Sequence, residues 1–252
     1  MTIDRPLPGQ LPSLRRLWTQ AFGDGEAFLD MFFSTGFSPD RCRCVTLEDE
    51  TVAALYWFDA WLDGKKLAYL YAIATDSAHR GKGLCRSLMA DTHSHLKASG
   101  YEGCLLVPAE SSLFAFYGAM GYKTVSTIRE FTACRGASPV PLRRISPEEY
   151  AALRRGLLPP GSVLQEGATL AFLSAQACFY AGDGLLLAAQ RDGARLFVPE
   201  LLGDPGSAPA VLKALNAEHG TFRTPGRGKP FAMGLSLTDT PLPDAYFGLA
   251  LD

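Results

Sequence analysis

The segment Leu67–Leu96 constrains this chain more than any other. Leu67 to Thr75 is apolar on both faces and rich in tyrosine, the pattern of a strand lying centrally in a sheet. A polar loop from Asp76 to Lys82 follows. Leu84, Leu88, Met89, Thr92 and Leu96 then fall on one face of a helix, which Gly100 closes as a C-cap. A buried strand leading through a loop into an amphipathic helix predicts an α/β fold, a mixed sheet flanked by helices.

Neighbouring segments extend that pattern. Leu11 to Phe22 has helical spacing, and Phe28, Met31 and Phe32 predict a second short helix. Cys44 to Leu47 and Val52 to Trp61 read as strands, and Asp63-Gly64 predicts a type I′ hairpin turn. Cys104 to Val107 is the next buried strand. Leu113, Phe116, Tyr117 and Met120 predict a short helix with those four side chains on its packed face, ended by Gly121. Strands at Tyr122 to Thr127 and Glu130 to Cys134 complete a unit spanning residues 1–135.

Residues 136–146 read as a linker, punctuated by Gly136, Ser138, Pro139 and Pro141. Residues 147–252 repeat the order of the first unit in faded form. Asp183-Gly184 and Asp192-Gly193 mark successive hairpin turns, Ala210 to Leu215 offers a helix, and strands fit Thr221 to Arg223, Phe231 to Leu237 and Tyr246 to Leu251. This predicts a tandem structural duplication.

Charge and composition narrow the function classes. Lys and Arg number 24 against 26 Asp and Glu, a net charge of −2, so no overall field favours nucleic acid or an anionic membrane. No apolar run approaches the roughly 18 residues of a membrane span. The first residues lack the apolar core of a secretory signal, and a cytoplasmic location is expected. The six cysteines are scattered without zinc-knuckle spacing. His93 and His95, two apart on a helix, are poor co-ligands. No metal is expected.

The loop after the central strand carries the chemistry. Glycines at 81 and 83 let the backbone approach a ligand closely. The unpaired N–H groups of the first helical turn form a phosphate site, and Arg80 and Lys82 complement a pyrophosphate. A nucleoside-triphosphate loop is excluded, because Gly83 and Leu84 follow Lys82 where a hydroxyl would be needed for magnesium. A dinucleotide fingerprint lacks its third glycine, since position 86 is Arg.

Arg80-Gly81-Lys82-Gly83-Leu84-Cys85 resembles the Arg/Gln-x-x-Gly-x-Gly/Ala element of the GCN5-related N-acetyltransferase (GNAT) superfamily. Leu113 to Tyr122, an apolar helix with Phe-Tyr followed by Gly and an aromatic, resembles that superfamily's second signature. The resemblance covers residues 1 to about 135 and implies a GNAT fold with acetyl-coenzyme A as cosubstrate. It implies that backbone groups of Ile73, Ala74 and Thr75 hold the pantetheine arm. The amides of Gly81, Lys82, Gly83, Leu84, Cys85 and Arg86 hold the pyrophosphate beside Arg80. Tyr117 matches the family tyrosine that protonates the departing thiolate. Cys85 replaces the usual small residue, and Glu110 stands where the family often has Asn. Glu110, near the strand end, is the first candidate base, with the carboxylate of Asp252 or a water as alternatives.

The second half reads Gly203-Asp204-Pro205-Gly206-Ser207 where a phosphate loop would fall, with an acid and a proline in place of basic residues. It is expected to be a degenerate GNAT-like half that completes the acceptor pocket. The function expected is direct acetyl transfer to a small-molecule or peptide amine. A non-catalytic acyl-coenzyme A sensor is the alternative, and the sequence leaves the acceptor and oligomeric state open.

Overall fold

The computed structural model describes residues 1–251, which form two mixed sheets with helices packed against them. In chain order the strands are β1 (Thr2–Asp4), β2 (Cys42–Leu47), β3 (Glu50–Leu62), β4 (Lys65–Thr75), β5 (Gly103–Leu106), β6 (Lys123–Thr124), β7 (Thr127–Cys134) and β8 (Arg143–Ile145). There follow β9 (Leu164–Gln165), β10 (Cys178–Gly182), β11 (Leu185–Asp192), β12 (Arg195–Leu202), β13 (His219–Pro225), β14 (Lys229–Pro230) and β15 (Met233–Ser236). The helices are α1 (Leu11–Phe22), α2 (Glu26–Thr35), α3 (Leu84–Ala98), α4 (Ser112–Gly118), α5 (Pro147–Leu157), α6 (Ala168–Ser174) and α7 (Ala208–Ala214).

Local chemistry accounts for the predicted elements. The β3–β4 turn has Asp63 at φ 50° and Gly64 at φ 80°, the pair of positive values a type I′ turn requires. Helix α3 buries Leu84, Leu88, Met89, Thr92 and Leu96 along one face. Helix α4 departs from expectation. Phe116 is exposed, and the packed face consists of buried Tyr117 with half-buried Leu113, Phe114 and Met120. His93 and His95 do diverge: His93 pairs with the Tyr122 hydroxyl at 2.8 Å, whereas His95 lies beside the Trp57 ring.

The two sheets share a pairing order. The first runs β1-β2-β3-β4-β5-β15-β6, with β9 also paired to β3, and the second runs β8-β10-β11-β12-β13-β7-β14. In each sheet the fourth and fifth strands of that order are parallel, and all other neighbours along the order are antiparallel.

The sixth place in each sheet is filled from the other half of the chain. The strand expected at Glu130–Cys134 to complete the first unit is part of β7, which pairs with β13 and β14 in the second sheet. The strand expected at Phe231–Leu237 in the second half is β15 (Met233–Ser236), which lies between β5 and β6 in the first sheet. The crossing segments bond to each other where they pass. Val125 and Ser126 donate N–H groups to Ala232 O at 3.0 and 3.2 Å, and Phe231 N donates to Ser126 O at 2.9 Å.

Tyr246–Leu251, expected as a strand, is a buried irregular segment instead. Its backbone is satisfied largely by side chains rather than by a neighbouring strand. Phe247 N donates to Ser126 Oγ at 3.0 Å, and Leu249 N donates to Gln165 Oε1 at 3.2 Å. Leu251 N donates to Tyr69 Oη at 3.1 Å. The core between the sheets includes Phe58 stacked on Phe172 at 5.9 Å, and Phe247 against Tyr69 at 4.8 Å.

A buried ion pair anchors the second half. Arg154 Nε and Nη2 donate to the Glu200 carboxylate at 2.6 and 2.9 Å, and Tyr150 Oη donates to it at 2.7 Å. Burial works against the guanidinium's charge, but Glu200 outweighs it and holds Arg154 above the ordinary arginine range.

Candidate active site

Strands β4 and β5 pair only at Leu67–Gly103, Ala68–Cys104 and Tyr69–Leu105. Beyond Tyr69, β4 carries a bulge: its register against β3 shifts between Ala54 and Tyr56, and Ala72 adopts φ 48°. A bulge bends the strand that bears it. On the other side β5 ends at Leu106 and the chain continues through Val107 and Pro108. Residues Leu70–Ile73 and Leu106–Ser111 therefore become opposite walls of a cavity of about 1110 Å³.

Strand β4 leads from this cavity into the glycine loop. Asp76 N donates to Val52 O at 2.8 Å, and the Asp76 carboxylate accepts the Ala78 N–H at 2.9 Å. That backbone bond, helped by His79 and outweighing the opposing effect of burial, holds the Asp76 carboxyl below its usual range. Arg80 Nε donates to Thr75 O at 3.1 Å, bracing the loop against the strand. Gly81 and Gly83 adopt φ 74° and 78°, a left-handed conformation that favours glycine, and open space surrounds both. Gly83 caps α3, whose first-turn N–H groups lack intrahelical acceptors.

The residues singled out from sequence occupy a connected path. Ile73 is in the cavity wall, while Ala74 and Thr75 pair with Ala54 and Ala53 in the ladder. Arg80, Gly81, Lys82 and Gly83 are exposed, Leu84 is buried, Cys85 is half-buried and Arg86 is exposed. Burial pushes the Cys85 thiol up to about 11, so it is protonated at neutral pH.

Tyr117 lies in the same cavity and is only 8% exposed. Burial, with Cys85 adding to it, pushes its phenol well above the ordinary tyrosine range. The hydroxyl is thus a proton donor throughout the neutral range. Glu110 lines the mouth, is exposed, and accepts a hydrogen bond from Ser112 Oγ. Asp59 accepts from Tyr101 Oη and faces Lys66 at 3.8 Å, outside the cavity lining. Asp252 lies outside the described residues.

Several cavity residues were not singled out in the sequence. Trp18, Asp24 and Phe28 come from α1, α2 and their connection, and Gln190, Arg223, Lys229, Phe231 and Leu251 come from the second half. Only Asp24 had a local signal, a carboxylate between two glycines in a short connection. Arg223 and Lys229 both bond Glu130, at 2.8 and 2.6 Å.

The corresponding loop of the second half has a different occupant. The Asp204 carboxylate accepts the Gly206 N–H at 2.9 Å, placing an internal anion at the loop, and Pro205 has no N–H to offer. Among the described residues no His, Cys, Asp or Glu group could hold a metal ion, all six cysteines are free, and no helix is long and apolar enough to cross a membrane.

Comparison with known proteins places the first half. The family described as "Acetyltransferase (GNAT) domain" matches residues 3–125. No curated protein sequence matches the chain. A GCN5-related N-acetyltransferase from Kribbella flavida superposes with TM-score 0.69 at 18% identity, covering 92% of this chain and 70% of that one. One from Anabaena variabilis gives 0.71 at 14% identity, with coverage of 94% and 73%. Eis1 from Mycobacterium abscessus gives 0.68 at 13% identity, with coverage of 94% and 74%. At these identities the likeness is one of fold, and its coverage extends through both sheets. Over residues 3–125, just under half of its length, this chain is similar to the GNAT acetyltransferase domain, and its fold is that of the GCN5-related N-acetyltransferase structures.

Proposed function

We propose that this chain transfers an acetyl group from acetyl-coenzyme A directly to an amine within a ternary complex. The observation that carries this reading is the continuity of three features: the parting of β4 from β5, the left-handed Gly81–Gly83 turn at the start of α3, and Tyr117 in the cavity between them. In the net reaction the amine nitrogen forms a bond to the acetyl carbon as the carbon–sulfur bond breaks. The amine loses a proton and the sulfur gains one, giving an amide and a free thiol.

The chain's residues divide that work. Backbone groups of Ile73, Ala74 and Thr75 hold the pantetheine arm as an added strand along the parted edge. The backbone N–H near Ile73 polarises the thioester carbonyl. The amides from Gly81 to Arg86, with Arg80 and Lys82, hold the pyrophosphate. Open space at both glycines fits that group. Tyr117 supplies the proton to sulfur, and Glu110 at the mouth accepts one from the amine.

The matching strand orders and parallel pairs support reading the two halves as a tandem duplication. β8 (Arg143–Ile145), an end strand of the second sheet, falls within the 136–146 stretch expected as linker, so in this reading the second half begins before residue 147. In this reading each half lends one strand to the other. The second half contributes acceptor-side wall and has no coenzyme site of its own. Free-thiol release with acetyl-coenzyme A across a panel of amines tests the proposal. Amine-dependent release is expected. Tight coenzyme binding without release under any amine would replace it with the sensor reading.

A further inference from the structure

The acceptor side of the cavity has an asymmetric charge arrangement. Asp24, in the connection between α1 and α2, is half-buried in the cavity wall, and one carboxylate oxygen accepts the Trp18 indole N–H at 2.8 Å. Among the described residues no Lys, Arg or His lies within ion-pair distance of it. Aromatic rings line the wall around it: Phe22 lies 5.5 Å and Phe28 6.0 Å from the Trp18 ring, and both line the cavity. Trp18 also lies 5.6 Å from Tyr71 of the parted strand, so this patch connects to the coenzyme side by direct ring contact.

A fixed carboxylate flanked by aromatic rings is the chemistry that recognises an organic cation. The cavity's own cations face a different carboxylate. Arg223 and Lys229 bond Glu130, which burial raises but these two partners bring below its usual range. Trp18 is almost completely buried, which fixes the indole that orients Asp24.

We propose that Asp24, with Phe22 and Phe28, binds a second cationic group on the acceptor, remote from the nitrogen that is acetylated. The acceptor class is then a small diamine or polyamine. This rests on the acetyl-transfer reading for its chemistry, but the binding it asserts is separable from turnover. Asp24 acts here as a specificity residue: its carboxylate is held by the Trp18 indole, and Trp18 in turn contacts Tyr71 of the parted strand.

The test compares linear α,ω-diamines with monoamines and ω-amino acids of matched length, in wild type and in Asp24→Asn. Asparagine keeps an oxygen for the Trp18 indole while removing the charge. Wild type is expected to favour diamines over monoamines by roughly 10- to 100-fold in kcat/KM, the range for a hydrogen bond to a charged group. Asp24→Asn should erase that preference without changing monoamine turnover or coenzyme A affinity, and Asp24→Glu should restore part of it. Phe22→Leu, at an exposed ring, should lower diamine kcat/KM several-fold and spare monoamines, and it decides the matter if Asp24→Asn does not fold. Equal losses for monoamines and diamines, or a wild-type preference for ω-amino acids, would overturn the proposal. Calorimetric binding of the diamine to the coenzyme A-loaded chain separates the two readings. Asp24-dependent binding without thiol release would sink acetyl transfer alone, whereas thiol release with no diamine preference would sink this proposal alone.

Discussion

The Tyr69 hydroxyl accepts the backbone N–H of Leu251 at 3.1 Å, joining residues 182 positions apart. Tyr69 is also the last residue of β4 paired with β5 before the strands part. The bond therefore ties the end of the described chain to the point where the cavity opens. Both residues are largely buried, at the wall of the cavity. Tyr69→Phe should cost about 1–3 kcal/mol by stranding that donor. For a chain of this size each kcal/mol lowers Tm by roughly 2–4 °C, and a melting curve that does not move would show that the bond contributes nothing.

The glycine loop makes a claim that a stability control can isolate. Gly83 and Gly64 have nearly the same φ, 78° and 80°, and both face open space. Valine at either position suffers similar backbone strain, on the order of 1–3 kcal/mol. Only Gly83→Val should also lose coenzyme A affinity by calorimetry, while Gly64→Val keeps it. Equal affinities in the two variants would remove the loop from the binding site.

Tyr117→Phe should keep the ring contacts with Phe116 and Tyr122 and leave Tm and coenzyme binding close to wild type. Turnover should fall roughly 10²- to 10⁴-fold, as for a lost general acid. The folded phenol titrates above its ordinary value, so its proton is present at neutral pH and is lost only as pH rises through that raised value. Wild-type activity should accordingly show no fall from this group near neutrality. The variant's deficit should shrink at high pH, where a thiolate leaves without help. A stable, fully active Tyr117→Phe would leave water as the acid.

One coenzyme A should bind per chain, because Asp204 and Pro205 occupy the second loop. A titration that resolves two equivalent sites would contradict that reading.

The sheets' shared strands predict a mechanical coupling. All three tryptophans, Trp18, Trp57 and Trp61, lie in the first half, whereas the Arg154–Glu200 pair lies in the second. Glu200→Gln leaves a buried guanidinium without its counter-charge, at a cost of about 3–5 kcal/mol. Tryptophan fluorescence should report the full loss, in step with far-UV circular dichroism. An unchanged fluorescence midpoint would mean that the halves unfold independently.

Much of this arrangement was legible in local sequence. The Asp63-Gly64 turn, the central strand from Leu67, the face of α3 and the path from Ile73 to Arg86 are each dictated within a few residues. Strand partnership was not, because alternation in Thr127–Cys134 says that a strand forms without saying which sheet receives it. Tyr246–Leu251 misled for a related reason: burial selects apolar residues whether the backbone is satisfied by a ladder or by Ser126, Gln165 and Tyr69. Spacing puts Phe116 on the packed face, yet the ring is exposed, because a seven-residue helix is too short for spacing to fix its orientation. The cavity wall combines residues from distant parts of the chain, and no local pattern announces that.

The crossing at Val125–Ser126 and Phe231–Ala232 also bears on how this molecule could be taken apart. A nick between β7 and β8 would yield two polypeptides, each holding a strand that belongs in the other's sheet. Neither piece would present a finished edge alone, and each would complete its partner. The chain is thus a natural candidate for a split-protein pair whose reassembly rebuilds the cavity, with the proposed acetyl transfer as the signal that the two pieces have met.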